Sequence, residues 1–556
     1  MIQGSYLYSC TMITFSNFGF LLFILPVFCL QGCKPDTTGK DKTVFHLNYS
    51  SGSLEAIDPA FAKDLYQIWT CHMVYNTLVE TDEQLHITPS LARSWEISAD
   101  GRTYLFHLRT DVFFHDNAAF PGGKGRKFVA RDVAYSFSRL IAPATAGSGA
   151  WIFNSHIADT NAFVAINDST FQLTLNQPFS PMLGSLSMAY CNIVPEEIVR
   201  KWGKDYRSHP CGTGPFCFSY WDEGNSLCLL KNPRYWEHDN TGVQLPYIDA
   251  VQISFVDSKA TEFLLFLQNK LDFVNGIDGS FKDLILTKEG TVKPDFKNKF
   301  RLGKNTYLNT EYIGFLTDTA NAMMKGEPTG NVLIRQAINY AVNRKKIVTY
   351  YKNGMGIPAT HGFIPAGIPG YDSTAAYGYD YNPDKARALL ARAGYPGGKG
   401  LKPIKILVPD NQVDIVNYVA SELQDVGIPA IIETIQPNIL KQQMSRSQAI
   451  FFRADWLADY PDAETFLVVF NSRQPAPPNY TRFQNDTFDS WYSRSLNMRD
   501  TARWALYRKM DSLAISYAPV LPLFYDMRMH FTQNNISGFR SNAMNVIDIK
   551  QVQFKK

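Results

Sequence analysis

Runs in which every second residue is apolar recur along this chain, between runs in which apolar residues fall three and four positions apart. Val44 to Tyr49 reads as a first strand. Trp95-Glu-Ile97 and Tyr104-Leu-Phe106-His-Leu108 follow, joined by Ser98-Ala-Asp100-Gly101, a hairpin signal. Phe171, Leu173 and Leu175 alternate again, as do Val251, Ile253 and Phe255. Each alternation calls for one buried and one wetter face. Ile334, Ala337, Ile338, Ala341 and Val342 instead keep the spacing of a helix face. Arg344, Lys345 and Lys346 come next, where the helix macrodipole favours cations, and Asn353-Gly354 ends the element. Asn382-Pro383-Asp384 supplies a cap, a proline at the first helical position and an acidic first turn. That helix runs through Ala386, Leu389, Leu390 and Ala393 and closes at Gly394 and Pro396. Strands and helices interleaved in this way predict an α/β architecture with mixed sheets.

At 556 residues, 45% hydrophobic and 19% charged, the chain can bury large cores and is long enough for more than one lobe. Its 54 lysines and arginines stand against 51 aspartates and glutamates. A net charge of +3 spread so thinly argues against a nucleic-acid partner. Tyrosines and phenylalanines are frequent, which suits aromatic-rich cores and also broad cavities whose walls offer hydroxyls.

Residues 1–32 carry no charged side chain, and Phe18 to Leu30 is apolar except at Gly19 and Pro26. Roughly 20 apolar residues are needed to span a bilayer as a helix, so this run reads as the apolar region of a secretory signal peptide. It ends in Leu30-Gln31-Gly32-Cys33, which resembles the lipobox at which signal peptidase II cuts before a lipid-modified cysteine. No lysine or arginine precedes the run, and Gln31 is neither small nor apolar. An ordinary cleaved signal and an uncleaved anchor are the alternatives. The expectation is a signal peptide over 1–32, lipid on Cys33 and a linker over 33–43.

Five cysteines follow Cys33: Cys71, Cys191, Cys211, Cys217 and Cys228. Their spacing fits no zinc motif. Cys217 and Cys228 flank the turn signal Asp222-Glu223-Gly224-Asn225, so a disulfide across a hairpin is one reading and buried free thiols the other. The sequence contains no GxxxxGK[ST] phosphate loop, no HExxH and no GxSxG elbow. Neither an ATPase, a metal site, a cofactor nor a hydrolytic centre is expected.

A longer pattern starts at Val74 with VYNTLVETD, continues through PSLARSWEISADGRTYLFHLR and the Phe114-His115-Asp116 triplet, and reaches RDVAYSFSRL. GTGPF from Gly212, KNPRYW from Lys231, IRQAINYAVNRKKIV from Ile334 and IPATHGFIPAGIPGY from Ile357 follow. YNPDKARALLARAGYPGG from Tyr381, DWLADYPDAETFL from Asp455 and LPLFY from Leu521 complete the series. In this order, the motifs resemble family 5 of the bacterial extracellular solute-binding proteins, the oligopeptide- and dipeptide-binding group. Asn117 to Lys127 departs from the family's pattern and reads as an exposed, glycine-rich insertion.

The resemblance implies the large class of two-lobed periplasmic-binding-protein folds, with mixed sheets, a hinged cleft and an extra N-terminal subdomain. Lobe I is expected over 44–76, 186–275 and 516–556, its extra subdomain over 77–185, and lobe II over 276–515. It implies a non-enzymatic, monomeric protein, held by lipid on the extracytoplasmic side of a bacterial membrane. Such a protein binds short peptides and delivers them to the permease subunits of an ABC transporter.

A peptide brings a charged ammonium into the cleft, and burying it without a counter-charge is costly, so an acidic residue is needed at that end. In peptide-binding relatives the aspartate of an RAxWxADY-like motif meets the ammonium. Here the motif reads Arg453-Ala-Asp455-Trp456-Leu-Ala-Asp459-Tyr460, which puts Asp459 in that role. Arg453 would meet a peptide carboxylate at certain ligand lengths, or pair with Asp455. Trp456 would line the cavity or fill a core. Asp459 could also cap a turn, since aspartate accepts backbone N–H bonds there. Other family members bind nickel chelates, haem or sugars, and a peptide sensor without transport is a further alternative.

Overall fold

The computed structural model describes residues 42–498 and 500–555. The signal peptide and Cys33 lie outside the described residues. Among those residues no helix is long and apolar enough to cross a membrane.

An eleven-stranded sheet runs through the molecule. One half holds Ala430–Ile435, Ile404–Pro409 and Phe451–Leu457. The other holds Phe273–Asn275, Val44–Asn48, Ala250–Ser254, Ser226–Lys231 and Phe216–Asp222. Two long antiparallel strands, Phe300–Phe315 and Val520–Gln533, join the halves, and the eleventh strand, Gly356–Pro358, pairs with the second of them. Val44–Asn48 is parallel to Ala250–Ser254, and Ile404–Pro409 to Ala430–Ile435, so the sheet is mixed.

The long pair is not continuous: Thr306 faces Met527, whereas Thr310 already faces Tyr525. Extra residues on one strand bend a ladder and free backbone groups from it. At this bend the Leu308 N–H donates to the Ala543 carbonyl at 3.0 Å, and the Leu308 carbonyl accepts the Ala458 N–H at 2.8 Å. The bend thus ties the C-terminal segment to the residue that precedes Asp459.

Separate cores back the two halves. One gathers residues such as Phe45, Trp69, Phe106, Phe137, Phe216 and Val251. On the other side Phe363, Phe466, Phe470 and Tyr507 form a second core, and Ile334, Leu390, Ile406 and Phe451 a third. Within the first, Ala92–Ile97, Thr103–Leu108, Thr170–Thr174 and Phe163–Asn167 form a four-stranded antiparallel sheet. The expected hairpin is present, with Gly101 at φ 70° in its turn. Leu175 and Phe255 lie just past their strands but remain buried.

The helix expected from Ile334 buries Ile334, Ala337, Ile338 and Ala341, but it does not continue to Asn353. It spans Val332–Ala341, Val342 is extended, and a separate turn, Arg344–Lys346, opens where the Asn343 side chain accepts the Lys346 N–H. Arg344 does more than complement the helix dipole. It is fully buried and donates to the carbonyls of Asn339, Val342, Tyr379 and Pro522. Two of those lie at the helix's C-terminal end, where carbonyls lack helical partners. Pro383–Arg392 forms the second expected helix, with the Asn382 side chain accepting the Lys385 N–H and Gly394 at φ 94° beyond its end.

The structure decides between the two cysteine readings and corrects the expectation for the insertion. Cys217 and Cys228 do lie on adjacent antiparallel strands, but the register sets Cys217 against Leu230 and Cys228 against Tyr220. They do not face each other, and all five cysteines that follow Cys33 are free thiols. Asn117 to Lys127 is not wholly exposed either. Phe120 is buried and stacks on Phe114 at 6.2 Å, and Gly125 lies so close to the Phe114 carbonyl that a Cβ there would clash.

Candidate functional site

Helix Leu65–Val74 begins where the Asp64 side chain accepts the N–H groups of Tyr66 and Gln67, and it packs Trp69 and Met73 inward. Its C-terminal end carries one wall of a cavity of about 440 Å³. Strand Val79–Thr81 and the turn after it supply Glu80, Asp82 and Glu83. Ser187 to Tyr190, Tyr235 and Glu237 add further walls, and the segment from Arg540 to Lys550 closes another side. Asp459 and Pro461 enter from the second half of the molecule.

Asp459 comes two residues after strand Phe451–Leu457, which pairs with the long strand in the register Asn309 with Leu457. Its backbone N–H points to Thr465 Oγ1 at 3.4 Å. Tyr460 beside it is buried in the core of the opposite half, with its ring 6.2 Å from Phe179 and 6.4 Å from Trp151. That plug aims the Asp459 side chain into the cavity, where water reaches it but protein surrounds it on most sides. Its carboxyl is accordingly pushed up to about 6, chiefly by desolvation, with the Thr465 hydroxyl opposing. Among the described residues no cation pairs with it, and no backbone N–H donates to its carboxylate. The capping bond in this turn belongs to Asp462, which accepts the Glu464 N–H at 3.0 Å. Glu464 is buried behind the turn, bonded to the hydroxyls of Tyr460 and Tyr492, and burial pushes its carboxyl up to about 7.

Arg453 and Trp456 line a different pocket of about 340 Å³, together with Asp455, Lys441 and Tyr480. Arg453 is buried and its guanidinium pairs with Glu311, on the neighbouring strand, and not with Asp455. It also donates to the Tyr312 carbonyl at 3.0 Å, while its Nε has no partner. The Trp456 indole N–H donates to the Thr465 carbonyl at 2.6 Å. The three motif residues therefore divide between two pockets, linked through Thr465.

Sequence reasoning missed the opposite wall. Lys550 Nζ lies 2.7 Å from Glu237 Oε2, 3.8 Å from Glu80 Oε1 and 4.0 Å from Asp548 Oδ2. The Tyr235 hydroxyl donates to Glu237 at 3.0 Å. Burial raises Glu80 above the ordinary carboxylate range, and Glu237 and Asp548 add to the effect against the pull of Lys550. His72 nearby is held down at about 4 by burial and by Lys550, so it is neutral at physiological pH. No local spacing announces this cluster, because its members come from four separate segments. Among the described residues, no three His, Cys, Asp or Glu side chains converge as a metal-ligand set.

Residues 86–477 match the model for the middle region of the bacterial extracellular solute-binding proteins, family 5. Heme-binding protein A of Haemophilus influenzae is 27% identical over 485 residues, covering 84% of each chain. Glutathione-binding protein GsiB of Escherichia coli K12 is 25% identical over 492 residues, which is 87% of this chain and 89% of that one. Among solved structures, HbpA2 of Haemophilus parasuis superposes with a TM-score of 0.80 at 24% identity, covering 92% of this chain and 100% of its own. DppA of Helicobacter pylori, in complex with the peptide STSA, gives 0.70 at 24% identity, with 93% and 99% covered. Structures of this kind are two-lobed periplasmic binding proteins, and the chain shares their fold. The chain belongs to family 5 of the bacterial extracellular solute-binding proteins, the binding components of ABC importers.

Proposed function

We propose that this protein captures short peptides in the cleft between its lobes and delivers them to the permease subunits of an ABC importer. The observation that carries the reading is Asp459, a carboxylate with no cation beside it among the described residues, facing a cavity of about 440 Å³. Such a group is a counter-charge waiting for a cation, and the amino terminus of a peptide supplies one. The lobe boundaries we propose are 44–76, 186–275 and 516–556 for lobe I, 77–185 for its extra subdomain and 276–515 for lobe II. The ligand closes the lobes by contacting both. Cys33 carries the lipid that holds the protein at the membrane surface. Arg453 and Trp456, in the neighbouring pocket, would serve longer ligands.

The relatives named for haem and glutathione suggest the second reading. Both of those ligands carry surplus carboxylates, and the acidic cavity wall disfavours them.

Calorimetry with a free and an amino-terminally acetylated tripeptide, on the parent and on Asp459→Ala, tests the proposal. Removing either partner of a buried ion pair costs roughly 2–5 kcal/mol, so each change alone should weaken binding by about tens- to thousands-fold. The two losses should not add. Equal affinity of the parent for free and acetylated peptide overturns the role of Asp459.

A further inference from the structure

Among the described residues, six carboxylates line the main cavity, those of Glu80, Asp82, Glu83, Glu237, Asp459 and Asp548, against two cations, Arg540 and Lys550. The excess is local, because the whole chain carries a formal net charge of +3. Arg540 is already matched, with its Nε 3.2 Å from Glu83. Lys550 is shared by three carboxylates and hydrogen-bonds to only one of them, Glu237, at 2.7 Å. The Asp82 carboxylate is fixed by the N–H groups of Gln84 and His86 at 2.9 and 2.8 Å, so its charge is oriented before any ligand arrives.

We propose that this cavity selects ligands of net positive charge, taking a side-chain ammonium or guanidinium against Glu80, Glu237 and Asp548 beside Lys550. The peptide skeleton of that ligand rests on the reading of Asp459 above, while its charge rests on the opposite wall. The groups that face the cluster are Lys550 and Asp548 on the C-terminal segment, Glu237 and Tyr235 on one loop, Glu80 on its strand and His72 on the first helix. Of these only Lys550 is cationic at neutral pH, since His72 stays unprotonated. Burial is the main reason the Glu80 carboxyl is raised, and Glu237 and Asp548 add a smaller repulsion that a second cation would relieve. An anionic side chain would add to that repulsion.

Ala-Lys-Ala, Ala-Ala-Ala and Ala-Glu-Ala share one amino terminus and one carboxylate, so calorimetry with the three isolates the side chain. The lysine peptide should bind at least about tenfold more tightly than the alanine peptide, and the glutamate peptide more weakly than both. The gap should shrink in Glu80→Gln, whose near-UV circular dichroism checks the fold, and shrink in the parent at high salt. Equal affinities, or tightest binding of Ala-Glu-Ala, overturn the charge preference while leaving the peptide reading intact. If none of the three binds, the peptide reading fails and spermidine decides: binding retains the preference for cations, and its absence overturns it.

Discussion

The Ser180 hydroxyl donates to the Met498 carbonyl at 2.6 Å, joining the proposed extra subdomain to the proposed second lobe. The same Ser180 reaches the Leu496 carbonyl from its N–H at 3.0 Å and from its Oγ at 2.9 Å. Neither Ser180 nor its two partners lines the cavity, so these bonds bear on the balance between closed and open forms apart from any ligand contact. A buried hydrogen bond contributes about 0.5–1.5 kcal/mol. Ser180→Ala should therefore shift the unliganded protein toward the open form, read as a larger radius of gyration in solution scattering. Unchanged scattering would remove Ser180 from the closure.

The Asp459 carboxyl makes binding pH-dependent. A peptide ammonium pairs with the ionised form, so affinity should fall about tenfold per pH unit below 6 and level off above it. Calorimetry between pH 5 and 8 reads this directly, and a flat profile would place the ammonium elsewhere.

The same group bears on stability with a definite sign. Its folded-state value of about 6 lies above the ordinary 3.8, so the folded protein holds this proton more readily than the unfolded chain. The stability tied to it is present at low pH, declines as pH rises between those values, and is absent above 6. Asp459→Asn should stabilise the unliganded protein at pH 7.5, by about 1 kcal/mol or less because cavity water screens the charge. A thermal midpoint below that of the parent would contradict it.

Gly214 sits where backbones touch. A Cβ there would lie 2.5 Å from the Val74 carbonyl carbon and 2.7 Å from the Met73 oxygen, while the Gly214 N–H donates to the Val74 carbonyl at 2.9 Å. Asn232 and His115 both bond to the Gly214 carbonyl at 2.9 Å. Gly214→Ala should cost about 2–3 kcal/mol by pushing the helix that carries His72 and Met73 off its seat. Urea unfolding measures the loss, and peptide affinity should fall with it.

Arg344 is buried with no carboxylate among its hydrogen-bond partners, only carbonyls and Asn339 Oδ1. Truncation to leucine would strand several of those carbonyls, each worth about 1–3 kcal/mol. Arg344→Leu should destabilise the protein by more than about 3 kcal/mol, and Arg344→Lys should recover only part, because a lysine lacks the planar fork. A leucine variant as stable as the parent in urea would refute this.

Lipid on Cys33 predicts that the mature protein partitions into detergent and that Cys33→Ala releases it or leaves it unprocessed. Each buried methylene of an acyl chain contributes about 0.8 kcal/mol, so more than one chain makes a lasting anchor. Intact-mass spectrometry of the membrane fraction is the measurement, and an unmodified Cys33 would defeat the proposal.

Much of the architecture was legible along the chain. The hairpin at Ser98 to Gly101, the helix capped by Asn382 and the alternation in Ala250–Ser254 are local patterns, and local patterns survive folding because a strand or helix must bury its apolar face wherever it lands. Motif order likewise pointed to the family, and it singled out Asp459. Local periodicity does not encode strand order or register. The turn at Asp222 to Asn225 predicted a hairpin correctly, yet the register alone decided that Cys217 meets Leu230 and not Cys228.

The amino-acid sequence by itself determined the α/β class and the apolar faces of two helices, because each depends on neighbours a few residues apart, and the family resemblance singled out a candidate acidic anchor. Only the tertiary structure decided which pocket each motif residue serves, that Arg453 meets Glu311 across the sheet, and that Lys550 stands beside Glu237, 313 residues away. Pairings over such separations follow from the order in which strands join a sheet and from where two lobes touch, and those are settled by packing of the whole chain.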